Sequence, residues 1–229
     1  MVRVSQVLCL LAVLSAFACA QGAPDKPAIT FTLDFPGSQP EHYAFEIRED
    51  GRAHYQSRGK FSPDSEEIDS FSFDFSVSPE TREKIFGLAA RAKYFQHDLD
   101  SHRKNLAFTG KKTLTYKDGQ RSGESTYNYS PDPVIWELTS LFQTLSGTLE
   151  TGHRLEYDYR YQKLALEEEL KRTEEMARTG SPMELEAIAP ILQQIVGDSS
   201  VMNVSRARAQ RLLERAGKPW RAGPEGARK

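Results

Sequence analysis

His97-Asp98-Leu99-Asp100-Ser101-His102 is the densest local cluster of reactive side chains in the chain. Two imidazoles and two carboxylates this close can ligate a divalent cation, with the Ser101 hydroxyl beside them. The spacing matches no standard zinc or calcium pattern, and a metal site generally recruits a further ligand from a distant segment. The competing reading is a polar loop in which Asp and Ser form turns. A metal-assisted hydrolase using His97, Asp98, Asp100 and His102 is therefore the enzymatic alternative.

Other candidates are weaker. His42 and His54 fall on neighbouring strands of an expected hairpin, where a facing pair can bind metal or sense pH. Asp64, Glu66, Glu67 and Asp69 contain the two carboxylates of a glycosidase couple, but read more simply as a solvated acidic loop. Thr109-Gly110-Lys111-Lys112-Thr113 has the end of a phosphate-binding loop, but Asn105 stands where the earlier glycine is required. No Gly-x-Ser-x-Gly elbow occurs. No motif calls for a cofactor.

The elements that must position these residues follow from periodicity. Ile29, Phe31, Leu33 and Phe35 alternate with polar residues, as do Phe71, Phe73, Phe75 and Val77, and Tyr43, Phe45 and Ile47 alternate with Ala44, Glu46 and Arg48. Period two predicts half-buried strands. Asp50-Gly51 and Asp118-Gly119 each sit between alternating runs, the hairpin signal, because such turns need residues that accept positive φ. Ser78-Pro79-Glu80 opens one helix, with a capping hydroxyl and a proline at the first helical place. Asp132-Pro133 opens a second, with Ile135, Leu138, Leu141, Phe142, Leu145 and Leu149 in an apolar stripe. Further helices are expected over His153 to Arg178, from a capping box at Ser181-Pro182-Met183-Glu184 to a stop at Gly197, and from Val204 to Ala216. The expected fold is α+β: an antiparallel sheet of five to six strands with two packed helices over residues 28–150, then an all-helical region of three helices over 151–217.

The ends carry the expected address. One charge at Arg3, an apolar run from Val7 to Ala18 and Ala18-Cys19-Ala20 make a signal peptide over residues 1–20, cleaved before Gln21. The run is too short to span a bilayer, and no later segment is long and apolar enough. A flexible leader is expected at 21–27 and a disordered basic tail at 218–229. Both cysteines, Cys9 and Cys19, precede the cleavage point, so the exported chain would lack disulfides and thiol catalysis. The alternative is acylation of Cys19, giving a lipid-anchored envelope protein. Asn128-Tyr129-Ser130 and Asn203-Val204-Ser205 are sequons that matter only in a eukaryotic secretory route. The formal net charge of −2 argues against a nucleic-acid binder. The basic residues after Asn203 can face an acidic partner or solvent.

The order of Tyr43-Ala44-Phe45-Glu46-Ile47, Asp50-Gly51-Arg52, Ser78-Pro79-Glu80, Ala92-Lys93-Tyr94-Phe95, Thr113 to Gly119 and Leu138 to Leu145 resembles a family of exported bacterial domains of unknown function. The stretch Asn105 to Lys112 with the helical end is similar to uncharacterised secreted proteins of soil bacteria. The resemblance covers roughly residues 28–148. It implies an α+β domain in a secreted or periplasmic location and supplies no catalytic residues. The expectation is a non-enzymatic domain that binds an unidentified protein or envelope partner.

Overall fold

A computed structural model describes residues 26–60, 67–178 and 184–217. The expected signal peptide, Cys19, most of the leader, the basic tail, Asp64, Glu66 and Ser181-Pro182-Met183 of the capping box lie outside the described residues.

Six strands form one antiparallel sheet: β1 (Ala28–Asp34), β2 (His42–Arg48), β3 (Arg52–Lys60), β4 (Ile68–Ser76), β5 (Lys111–Lys117) and β6 (Ser122–Tyr127). Their order is β4-β3-β2-β1-β5-β6, so β1 lies in the interior and pairs with both β2 and β5. The turns work as the dipeptides require: Gly51 has φ +86° and Gly119 φ +80°. Ile29, Phe31, Leu33, Phe45, Ile47, Tyr55 and Leu114 point to one face and are buried. Thr30, Thr32, Gln56 and Thr113 alternate to the other face.

Helix α1 (Pro79–Arg91) begins where the Ser78 hydroxyl accepts the Thr81 amide at 3.2 Å. Helix α2 (Pro133–Tyr161) begins where the Asp132 carboxylate accepts the Val134 amide at 2.8 Å. Both pack on the apolar face of the sheet. Phe142 of α2 stacks on Phe31 with centroids 4.7 Å apart and planes 2° apart, and sits 5.5 Å from Phe45.

No helix ends at residue 150, the boundary expected from the sequence. Helix α2 runs unbroken through Gly152 to Tyr161 and ends at Gln162, so the helix expected over His153 to Arg178 is divided between α2 and α3 (Leu166–Arg178). The apolar side of α2 continues through Leu149 to Leu155, and packing along it outweighs the helix cost of glycine, about 1 kcal/mol. Gly152 also has a packing reason, since a Cβ there would meet the Ile188 methyl at 2.5 Å. A single 3-10 turn (Leu185–Ile188) leads into α4 (Ala189–Gly197), and α5 (Asn203–Ala216) closes the chain. Leu155, Leu166, Leu170, Ile188, Leu192, Ile195 and Leu212 form a second core under these helices.

The helical region is docked on the sheet domain. Gly152 and Ile188 meet beside Phe71 and Phe73 of β4, and His153 stacks on Phe71 at 4.3 Å and 13°. None of the described helices is long and apolar enough to cross a membrane.

Candidate functional site

The His97–His102 segment follows a 3-10 turn (Lys93–Phe95) beyond α1 and crosses toward β6. Leu99 is buried, and its amide donates to the Ser125 hydroxyl at 3.0 Å. The carboxylates fold the loop. Asp98 accepts the Asp100 amide at 3.0 Å and contacts His102 Nε2 at 2.5 Å. Asp100 accepts the His102 amide at 2.6 Å with one oxygen and the Asn128 amide at 2.7 Å with the other. The His102 contact, then the Asp100 amide, hold Asp98 below the usual carboxylate value, and the His102 and Asn128 amides do the same for Asp100. The Asp98 hydrogen bond raises His102. The fold thus gathers Asp98, Asp100 and His102, while His97 is exposed and has no hydrogen bond to them. Among the described residues no group of three or more His, Cys, Asp or Glu is arranged to hold a metal ion.

The other sequence candidates separate. His42 and His54 do not face each other. Strand register puts His42 opposite Arg58 and His54 opposite Glu46 and Asp74, at opposite ends of the hairpin. Each imidazole meets an aspartate instead, Asp34 at 2.6 Å and Asp74 at 2.7 Å. Asp69 is on β4 and meets His153 Nε2 at 2.7 Å. It borders a cleft of about 300 Å³ where Glu150 accepts the Tyr55 hydroxyl at 2.7 Å and Glu169 accepts Arg154 Nε at 2.9 Å. Each of its carboxylates is therefore engaged within the fold. The basic surplus of α5 is also engaged: Glu174 of α3 takes Arg208 at 2.6 Å and Arg211 as well, and Arg215 donates to the Ala177 carbonyl.

A groove of about 180 Å³ opens where the same loop reaches the end of β6 and the first turns of α2. The Ser101 amide donates to the Tyr129 carbonyl at 2.9 Å, and the Asn128 side chain accepts the Thr109 amide at 2.8 Å and donates to the Ala107 carbonyl at 3.1 Å. Asn128 is thereby committed to holding the loop. Lys112 is buried and lines the groove. Its ammonium donates to the carbonyls of Thr109, Gly110 and Asn128 at 2.9, 3.1 and 3.0 Å, with the Thr109 hydroxyl at 3.1 Å. Burial pushes its pKa down.

Large aromatic surface stands open here. Trp136 is 66% exposed and Tyr129 42%, and both line the groove. Phe108, adjacent to Thr109, is 56% exposed and meets Phe35 edge-on at 5.8 Å. The Trp136 indole N–H, the Tyr129 and Ser140 hydroxyls and the Gln143 amide make no hydrogen bond among the described residues. Trp and Tyr are enriched at recognition surfaces, where an apolar ring and a polar tip serve together. The sequence reading passed over Trp136. The signal was present: Trp136 is a large aromatic lying off the apolar stripe of its own helix.

No protein-family model matches the chain, and no curated protein is significantly similar to it.

Proposed function

We propose that this protein is an exported, non-enzymatic binding module that holds an envelope component in the groove between β6 and α2. The supporting observation is the solvent-open aromatic pair, Trp136 at 66% and Tyr129 at 42%, beside unengaged hydroxyl and amide groups. Export rests on the leader-like N-terminus, with Gln21 or an acylated Cys19 as the first residue of the exported chain. The reactive groups in the described structure favour binding over catalysis, since the carboxylates of the His97–His102 loop are engaged with backbone amides and His102. The loop then serves to hold the groove's rim at Asn128 and Tyr129.

The test is co-sedimentation of the purified protein with the cell-envelope fraction of the organism that makes it. Saturable binding that drops tenfold or more in Trp136→Ala, with unchanged urea midpoint, is expected. Binding unaltered by both Trp136→Ala and Tyr129→Ala would overturn the assignment. Mass spectrometry of the N-terminus separates a soluble protein from a tethered one.

A further inference from the structure

We propose that the groove takes a neutral glycan chain, with a sugar ring lying against Trp136 and Tyr129; this rests on the groove being the binding site. Charge is the first argument. Lys112 carries the only formal charge among the described lining residues, and its ammonium faces three carbonyls and a hydroxyl, more acceptors than it has N–H bonds. It has nothing left to offer an anion, and among the described residues no carboxylate lines the groove to attract a cation.

The second argument is the chemistry of what remains unengaged. Trp136 offers a donor, the Tyr129 and Ser140 hydroxyls donate and accept, and the Gln143 amide supplies two donors and an acceptor. A sugar hydroxyl also donates and accepts, so it matches both kinds of group. A proline-rich peptide brings mainly carbonyl acceptors to an aromatic groove and leaves the acceptors here unmatched. The C–H bonds on a pyranose face carry slight positive charge and sit well on the negative face of an aromatic ring.

Size is the third. A volume of about 180 Å³ falls below the roughly 300–1,000 Å³ of pockets that engulf a small molecule. An open groove of that size suits one unit of a chain whose neighbours extend along the surface. The backbone carrying both rings is fixed before ligand arrives: Trp136 lies in the first turn of α2 behind the Asp132 cap, and the Tyr129 carbonyl is held by the Ser101 amide. Such preorganisation lowers the entropy cost of binding.

Trp136 and Trp220 are the only tryptophans, so Trp220→Phe leaves Trp136 as the single indole reporter. That variant is titrated with tetrasaccharides of glucose, N-acetylglucosamine, galactose and mannose, with a polyproline peptide and with polygalacturonate. Calorimetry on the wild type, Trp136→Ala and Tyr129→Ala runs in parallel. The expected result is a saturable fluorescence change with at least one neutral tetrasaccharide. Its affinity should fall tenfold or more in either variant and stay within about twofold when salt is raised, since no exposed charge is involved. Failure of all four tetrasaccharides, response to the polyproline peptide alone, or salt-sensitive response to polygalacturonate alone overturns the glycan assignment. Envelope co-sedimentation separates the two claims. If it still depends on Trp136 while the tetrasaccharides fail, the ligand class is wrong and the groove stands. If both fail, the groove reading falls too.

Discussion

Across 106 positions of sequence, the Glu184 carboxylate accepts the Ser78 hydroxyl at 2.8 Å. It also accepts the Ser78 amide at 3.2 Å and the Thr81 hydroxyl. A residue leading into the helical region thereby closes the N-terminus of α1, where a carboxylate also suits the helix dipole. Glu184→Ala leaves three donors without their acceptor in a place where Glu184 itself is only 8% exposed. The expected loss is about 1–3 kcal/mol, read as a lower urea midpoint. Glu184→Gln keeps one oxygen acceptor and should lose less.

Gly123 of β6 lies against the turn after α1. A Cβ on it would stand 2.0 Å from the Tyr94 carbonyl oxygen, a backbone atom that cannot swing aside. Gly123→Ala should therefore destabilise by about 1–3 kcal/mol through overpacking. Gly87→Ala is the control. Its Cβ would meet nothing within 4 Å on the exposed face of α1, and the change should be neutral or slightly stabilising.

Asp118, whose side chain is largely covered, and the exposed His102 should titrate with opposite signs. At the β5–β6 turn, the Arg121 amide first, then the Gln120 amide and the Arg121 guanidinium, hold Asp118 at about 2 against an ordinary 3.8. The folded value is depressed, so its contribution is complete above 3.8 and is lost as pH falls through about 2. His102 is raised above 6.5, chiefly by its Asp98 hydrogen bond. Its contribution is complete below 6.5 and fades as pH rises through the folded value. Side-chain NMR titration reads both, and Asp98→Asn should bring His102 back toward 6.5. An Asp118 midpoint at or above 3.8 would contradict the turn geometry.

Lys112 ties the loop carbonyls of Thr109 and Gly110 to that of Asn128. Lys112→Met keeps the apolar stem and removes the ammonium, leaving these acceptors without it. We expect about 1–3 kcal/mol lower stability and faster hydrogen exchange at the Thr109 amide. If the groove is the binding site, affinity should fall as well, although Lys112 offers the ligand no contact of its own.

Much of the frame is legible locally. Phe71, Phe73 and Phe75 alternate on β4, Gly51 and Gly119 adopt the positive φ their turns need, and Ser78-Pro79 caps α1. Even the burial of Lys112 leaves a trace, because it shares strand parity with Leu114 and Tyr116. The continuity of α2 through Gly152 is less legible. A glycine reads as a weakness in isolation, and its use appears only once Ile188 is beside it.

The sequence by itself determined where the strands lie, where α1 and α2 begin and which face of each is apolar. Those properties depend on residues within a turn or two of one another. Only the tertiary structure decided that His42 and His54 part, that His153 meets Asp69, that Glu174 absorbs Arg208 and Arg211, and that Tyr129 and Trp136 share one open groove. The physical reason is that periodicity sets a face but not an axial offset. Which side chains meet across two packed elements depends on how far one has slid along the other, and that is settled by fitting the whole core together.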